Sequence, residues 1–136
     1  MRPHELLTPG EQADIMAALG ELADTIKRAY ASDNADLYLS AFDEDAIVSM
    51  PGAPPVRGYK ALRELFENRP ALPPGATFQV NPLELEALSS HWAYAFGTDT
   101  LEFADGNKKT MTFLVLIRKT AEGWKTFREV LSADQP

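Results

Sequence analysis

Apolar residues in this chain recur at three- and four-residue steps before about residue 70 and at every second position after about residue 76. In the first regime, Ile15, Leu19, Leu22, Ile26 and Ala29/Tyr30 form one buried face of a long first helix. Thr8 is placed to cap it, Pro9 suits its first position, and Glu11 completes a capping box. Ser32-Asp33-Asn34 ends that helix and caps a short second one carrying Leu37, Tyr38 and Phe42. Asp43-Glu44-Asp45, read as a solvated acid run, turns the chain into a short strand from Ala46 to Met50. The prolines of Pro51-Gly52-Ala53-Pro54-Pro55 cannot continue a ladder, so a loop follows. A third helix runs from Tyr59 to Asn68 with Leu62, Leu65 and Phe66 on its apolar side, and Pro70 to Gly75 is a second loop.

In the second regime a strand from Ala76 to Leu88 turns at Ser89-Ser90 into three further strands joined by tight turns at Asp105-Gly106 and Glu122-Gly123. Asp-Gly between apolar-rich runs is a strong hairpin signal, because the central residues of the favoured turn need positive φ. The strands flanking Asp105-Gly106 have room for about ten residues each, against about five or six in an ordinary strand. Strands that long must twist and coil. Helices first and an antiparallel meander last give an α+β fold, a bent sheet covered on one face by helices, with a cavity between the layers. Residues 8–134 form a single domain, with loose ends at 1–7 and 133–136.

Composition narrows the function. Thirteen basic against twenty acidic residues give a net charge of −7, with the basic residues scattered, so nucleic acid is not an expected partner. No apolar run approaches the 18 or so residues of a membrane span, and the first residues lack a signal peptide's apolar core. A cytoplasmic protein with no membrane partner is expected. With no cysteine and two distant histidines, His4 and His91, no metal site is expected, and the common nucleotide motifs are absent, so no cofactor is expected.

Three segments, LADTIKRAYASDNADLYLSAFDEDAIVSMPGAPPVRGYKALRELF, HWAYAFGTDTLEFADG and FLVLIRKTAEGWKTFREVLSAD, together resemble the SnoaL-like branch of the nuclear transport factor 2-like superfamily. That superfamily includes ketosteroid isomerase and the polyketide cyclases. The resemblance implies a cone-shaped barrel, three N-terminal helices on the concave face of a strongly curved, mostly antiparallel sheet. It also implies a deep, mainly apolar pocket and a homodimer joined through the sheet. At the positions matching the ketosteroid isomerase acid/base residues stand Met50, Val115, Ile26 and Phe66, which can neither take a proton nor donate to an enolate. Ketosteroid isomerase chemistry is therefore not expected, and neither a cyclase aspartate nor an Asp-Arg-Asp set can be assembled. The function expected is binding of a small apolar or aromatic molecule, with isomerisation or cyclisation as the chemistry if the ligand is turned over. The alternative is a non-catalytic dimerisation or accessory domain with a packed cavity.

If Met50 and Val115 face inward, period two brings Met111, Phe113 and Ile117 with Val115. A two-residue turn at Asp105-Gly106 would add Phe96, Thr98, Thr100 and Glu102 to that face. Thr126, Arg128 and Val130 would follow on the last strand, although a slip of one residue would exchange them for Phe127, Glu129 and Leu131. Arg128 is read either as the anchor of a ligand carboxylate or phenolate, or as a structural ion-pair partner of Glu102, Glu129 or a loop acid. Glu102 is a displaced general acid/base or a solvated rim group. Tyr30, Tyr38 and Tyr59 offer hydroxyls or pack with their tips wet, and Phe66 lines the pocket. Trp92 and Trp124 are packing or subunit-face residues, and His91 is a surface group.

Overall fold

The computed structural model describes residues 8–133. Helix α1 spans Pro9–Ser32, and its start is closed reciprocally: the Thr8 hydroxyl accepts from the Glu11 N–H at 3.1 Å and the Glu11 carboxylate from the Thr8 N–H at 3.2 Å. Asp33, in the left-handed region at φ 53°, ends it, and the Asn34 side chain caps α2, Ala35–Ser40. Strand β1 is Phe42–Ser49, longer than expected, and is followed by an unforeseen two-residue strand β2, Val56–Arg57. Helix α3 is Gly58–Glu67. Strands β3 (Thr77–Ala87), β4 (Trp92–Glu102), β5 (Lys108–Thr120) and β6 (Gly123–Ala133) complete the chain. Ala133, expected in a loose end, thus closes a strand, while the expected looseness of 1–7 and 134–136 concerns residues outside those described.

The strands form one sheet in the order β2-β1-β6-β5-β4-β3, antiparallel throughout except that β1 runs parallel to β6. The sheet curves around the helices, the expected α+β cone. Ile15 and Leu19 of α1, Tyr38 and Leu39 of α2 and Leu62 and Phe66 of α3 meet Val48, Ala93, Phe113, Ile117 and Leu131 of the sheet in one continuous core. Among the described residues, no helix is long and apolar enough to cross a membrane.

Two single-residue events set which side chains face that core. The β4–β5 connection is a three-residue loop, Ala104-Asp105-Gly106, since Phe103 N–H donates to the Asn107 carbonyl at 2.8 Å and Gly106 N–H to the Phe103 carbonyl at 2.9 Å. Gly106 takes the left-handed φ of 88° that such a loop needs, and Asp105 Oδ1 accepts from Asn107 N–H at 3.0 Å. With one residue more than a tight turn, Phe113 stands opposite Gly97 and Val115 opposite Ala95. The inward row of β4 is therefore Ala93, Ala95, Gly97 and Asp99, and the expected row of Phe96, Thr98, Thr100 and Glu102 belongs to the other face.

The second event lies in β6. Thr126 pairs with Ile117 and Arg128 with Leu116, so Phe127 is bulged. Thr126 points inward as expected, but beyond the bulge the inward residues are Glu129 and Leu131, not Arg128 and Val130. The Phe127 ring lies between two guanidiniums, Arg128 at 3.8 Å and Arg118 at 4.2 Å, with Trp92 edge-on at 5.4 Å. Arg118 in turn grips Asp43 through Nε (2.8 Å) and Nη2 (3.0 Å). Asp43, expected in a solvated run, is only 4% exposed.

Candidate functional site

The inward row of β4 explains why the hollow is not filled. Ala93, Ala95 and Gly97 present almost no side chain to the space between sheet and α1. Gly97 has no room for more, since a Cβ there would stand 2.3 Å from the Asn81 carbonyl oxygen and 3.0 Å from the Phe113 ring. What remains is a chamber of two lobes. The narrow lobe, about 170 Å³, lies between α1 (Met16, Leu19, Gly20, Ala23) and the sheet (Val80, Ala95, Phe113, Val115). The wide lobe, about 480 Å³, opens between α3 and the other end of the sheet and is walled by Tyr30, Tyr38, Met50, Phe66, Arg69 and Met111. Ile26, Phe78, Asp99 and Glu129 line both, so the lobes meet at two carboxyl groups.

Those carboxyls are the chemistry of the chamber. Among the described residues neither is hydrogen-bonded or ion-paired. Burial pushes Asp99 up to about 6, and burial with the neighbouring charge of Asp99 pushes Glu129 up to about 7. Near neutrality the chamber therefore holds a carboxylate and a carboxylic acid that line the same two lobes, a base and an acid in an apolar enclosure. The two tyrosines stay protonated beside them. Burial, then the charge of Glu129, raises Tyr30 to about 12, and Tyr38 is raised by burial and by Tyr30. Their rings form a cluster with Phe66, which stacks on Tyr38 at 4.7 Å and tilts against Tyr30 at 5.6 Å. Among the described residues no group of three His, Cys, Asp or Glu is placed to hold a metal ion.

The residues singled out from sequence divide by register. Tyr30, Tyr38, Met50, Phe66 and Met111 wall the wide lobe, Phe113, Val115, Ile117 and Thr126 the narrow one, and Ile26 both. Phe96, with 40% of its surface exposed, Thr98 and Thr100 lie on the outer face instead, and Glu102 ends β4 as an exposed group. Arg128 reaches no cavity, because its Nη1 donates to the Asp45 carbonyl at 3.1 Å and the Phe127 carbonyl at 2.7 Å. Tyr59 donates to the Phe42 carbonyl at 2.9 Å and is structural. His91 is an exposed residue whose Nδ1 meets the Ser90 hydroxyl. Asp99 and Arg69 are not among the residues singled out from sequence, and Glu129 is there only as the alternative that a one-residue slip of the last strand would bring inward. Asp99 and Glu129 were hidden by the extra loop residue and the bulge, and Arg69 sits in an aperiodic segment after α3. The Phe-Ala-Asp-Gly-Asn stretch was the available signal, since a glycine in third place also suits a three-residue hairpin loop.

A sequence profile of the SnoaL-like domain matches residues 20–135. No curated protein matches the chain. Among solved structures, a ketosteroid isomerase-like protein from Erwinia carotovora atroseptica superposes with a TM-score of 0.72 at 23% identity, covering 95% of this chain and 100% of that one. An NTF2-like protein with a cystatin-like fold from Novosphingobium aromaticivorans gives 0.80 at 15% identity, over 91% and 84%. A hexachlorocyclohexane dehydrochlorinase gives 0.77 at 15% identity, over 93% and 90%. At these identities the likeness is one of fold.

Proposed function

The chain belongs to the SnoaL-like domain family, and on that premise we propose that its chamber binds a small, mainly apolar or aromatic molecule and moves a proton on it. The observation that carries this reading is the pairing of Asp99 with Glu129 where the two lobes meet. Asp99, with the lower pKa, is the base, and Glu129 in its protonated form is the acid that returns a proton to the ligand. The Tyr30 hydroxyl, on the wall of the wide lobe and itself accepting from Tyr38, is the donor for an oxygen that gathers charge during the transfer. Isomerisation, cyclisation and elimination all begin with such a transfer. Fold neighbours named as isomerase-like and as a dehydrochlorinase are compatible with a scaffold suited to it. Ketosteroid isomerase-type positions remain occupied by Met50, Val115, Ile26 and Phe66, so the pair does its work from other strands. Open lobes of about 170 and 480 Å³ favour this over an accessory domain with a filled core.

A panel of aromatic and terpenoid ketones tests the reading. Some are expected to raise the melting temperature, and those that do are expected to take up deuterium α to the carbonyl in heavy water, seen by NMR. Ligands that bind without any exchange would reduce the chamber to a binding module; a panel without a single binder would remove the function altogether.

We also propose a homodimer through the outer face of the sheet. Phe96, Leu114 and Val130 stand side by side across β4, β5 and β6, with 40%, 46% and 51% of their surfaces exposed. An apolar ladder of this kind on a long sheet marks a protein contact. Phe96→Asp is expected to shift the mass in sedimentation from two chains to one while the fold persists; a wild type that sediments as one chain refutes the dimer.

A further inference from the structure

Arg69, on the wall of the wide lobe, carries the one fully buried side-chain polar atom among the described residues that has no hydrogen-bond partner, its Nε–H. The rest of the guanidinium is held firmly. Nη1 donates to the Phe66 carbonyl at 2.6 Å, Nη2 to Asp33 at 2.8 Å, and Cζ lies 3.8 Å from the centre of the Phe66 ring. A buried, unsatisfied donor on a charged group is costly, and native proteins keep few of them. Its one ionic partner does little to neutralise it, since the Asp33 side chain is 80% exposed while that of Arg69 is 22% exposed.

Nor is Arg69 the counter-ion of the carboxyl pair. Its charge lowers the pKa of Tyr30 and Tyr38, but Asp99 is governed by burial, and Glu129 by burial and the charge of Asp99. The cation therefore belongs to the tyrosine end of the wide lobe, with the carboxyls between it and the narrow lobe. In that order the chamber presents a fixed cation, two neutral hydroxyls, an acid/base pair and then an apolar recess.

From this sequence of surfaces we propose that Arg69 is the anchor for the carboxylate of an otherwise apolar, aromatic-sized ligand whose body passes Asp99 and Glu129 into the narrow lobe. The proposal rests on the ligand-binding reading above and gives its substrate class, an arylalkanoic acid or a close relative. A guanidinium already held by Phe66 and Asp33 loses little side-chain entropy on engaging a carboxylate. The anchor sets direction. The apolar tail is excluded from the tyrosine end and the acid end from the recess, so one carbon is presented to the base.

Naphthylacetate and the matching neutral alcohol, naphthylethanol, test the anchor by calorimetry at about pH 5.5, where the probe is ionised and the chamber carboxyls are mostly protonated. The wild type is expected to prefer the acid by roughly tenfold or more. Arg69→Met is expected to remove that preference while changing the alcohol's affinity less than about twofold. Asp33→Asn, which removes the outer partner but keeps the guanidinium, is expected to preserve the preference or raise it. Equal affinity of the wild type for the two probes overturns the anchor even if Arg69→Met does not fold. So does an Arg69→Met protein that folds and keeps the preference. Failure of both probes to bind overturns the chamber reading and the anchor with it, whereas binding of both without preference overturns only the anchor.

Discussion

Glu129→Gln is expected to move activity and stability in opposite directions, slowing ligand proton exchange about a hundredfold or more while raising the melting temperature at alkaline pH. The loss of exchange follows from removing the acid of the pair. The gain in stability follows from linkage. Burial and the charge of Asp99 lift Glu129 from an ordinary 4.5 to about 7, and burial lifts Asp99 to about 6. The folded chain therefore binds protons that the unfolded chain has released between about pH 4 and pH 7. Stability from these groups is fully present below the unfolded values and is lost as pH rises through about 6 and then about 7. A rise from 4.5 to about 7 corresponds to on the order of 3 kcal/mol for Glu129 once it is ionised.

Glutamine keeps the shape and removes the charge, but its amide still lacks partners in an apolar wall, so recovery is partial. About 2 kcal/mol, or roughly 6–10 °C for a domain of this size, is expected near pH 8. Near pH 4, where the wild-type side chain is already neutral, the two proteins should melt together. Thermal denaturation across that range reads both limits. A variant no more stable than the wild type at pH 8 would mean that Glu129 has found a counter-charge, and the acid/base assignment would go with it. A stabilised variant with undiminished exchange would leave Glu129 buried but idle.

That the sequence did not settle the place of a carboxyl so costly to the fold has a definite physical origin. Helical periodicity and capping chemistry are local, and Thr8, Glu11, Asn34 and the Ile15/Leu19 face could be read directly. The inward row of β5 was also readable, because Phe113 and Ile117 alternate with residues that need no burial. Strand β4 carries apolar side chains on both faces, Ala93 and Ala95 on one and Tyr94 and Phe96 on the other, so alternation alone does not choose between them. The choice passed to the hairpin loop, where one additional residue sends Asp99 inward and Phe96 outward. Size misled as well. The chamber exists because the inward residues are small, whereas pattern reading assigns the larger aromatic to the core. Strand β6 changes register at a bulge, which period-two reading registers only as a possible slip. Both members of the pair thus depended on single-residue shifts that long-range pairing decides, and Arg69 depended on a loop with no period at all.

The bulge that delivers Glu129 has its own lock, and breaking it should produce the largest loss of stability of any single change considered. Arg118→Met is expected to lower the denaturation midpoint clearly, because it leaves the carboxylate of Asp43 without its cation. That carboxylate is 5% exposed and takes two hydrogen bonds from Arg118, with the Asp45 N–H at 2.9 Å as its other partner. The Arg118 hydrogen bond holds the pKa of Asp43 below its usual value against the opposing effect of burial. A depressed carboxyl contributes stability above the unfolded value near 4 and loses it as pH falls through the folded value. The gap between wild type and Arg118→Met should accordingly be full at neutral pH and narrow in acid, when Asp43 is protonated in the variant and no charge is left stranded. Asp43→Asn/Arg118→Met should recover much of the loss, since removing both charges leaves nothing unpaired. The effect reaches the chamber through Phe127, whose ring loses one of its two flanking guanidiniums and with it part of the restraint that keeps the bulge closed. Denaturant titrations at neutral and acid pH measure the gap. A variant as stable as the wild type at neutral pH would show that the ion pair does not hold β1 and β5 across the bulge, and that the inward aim of Glu129 is secured by strand pairing alone.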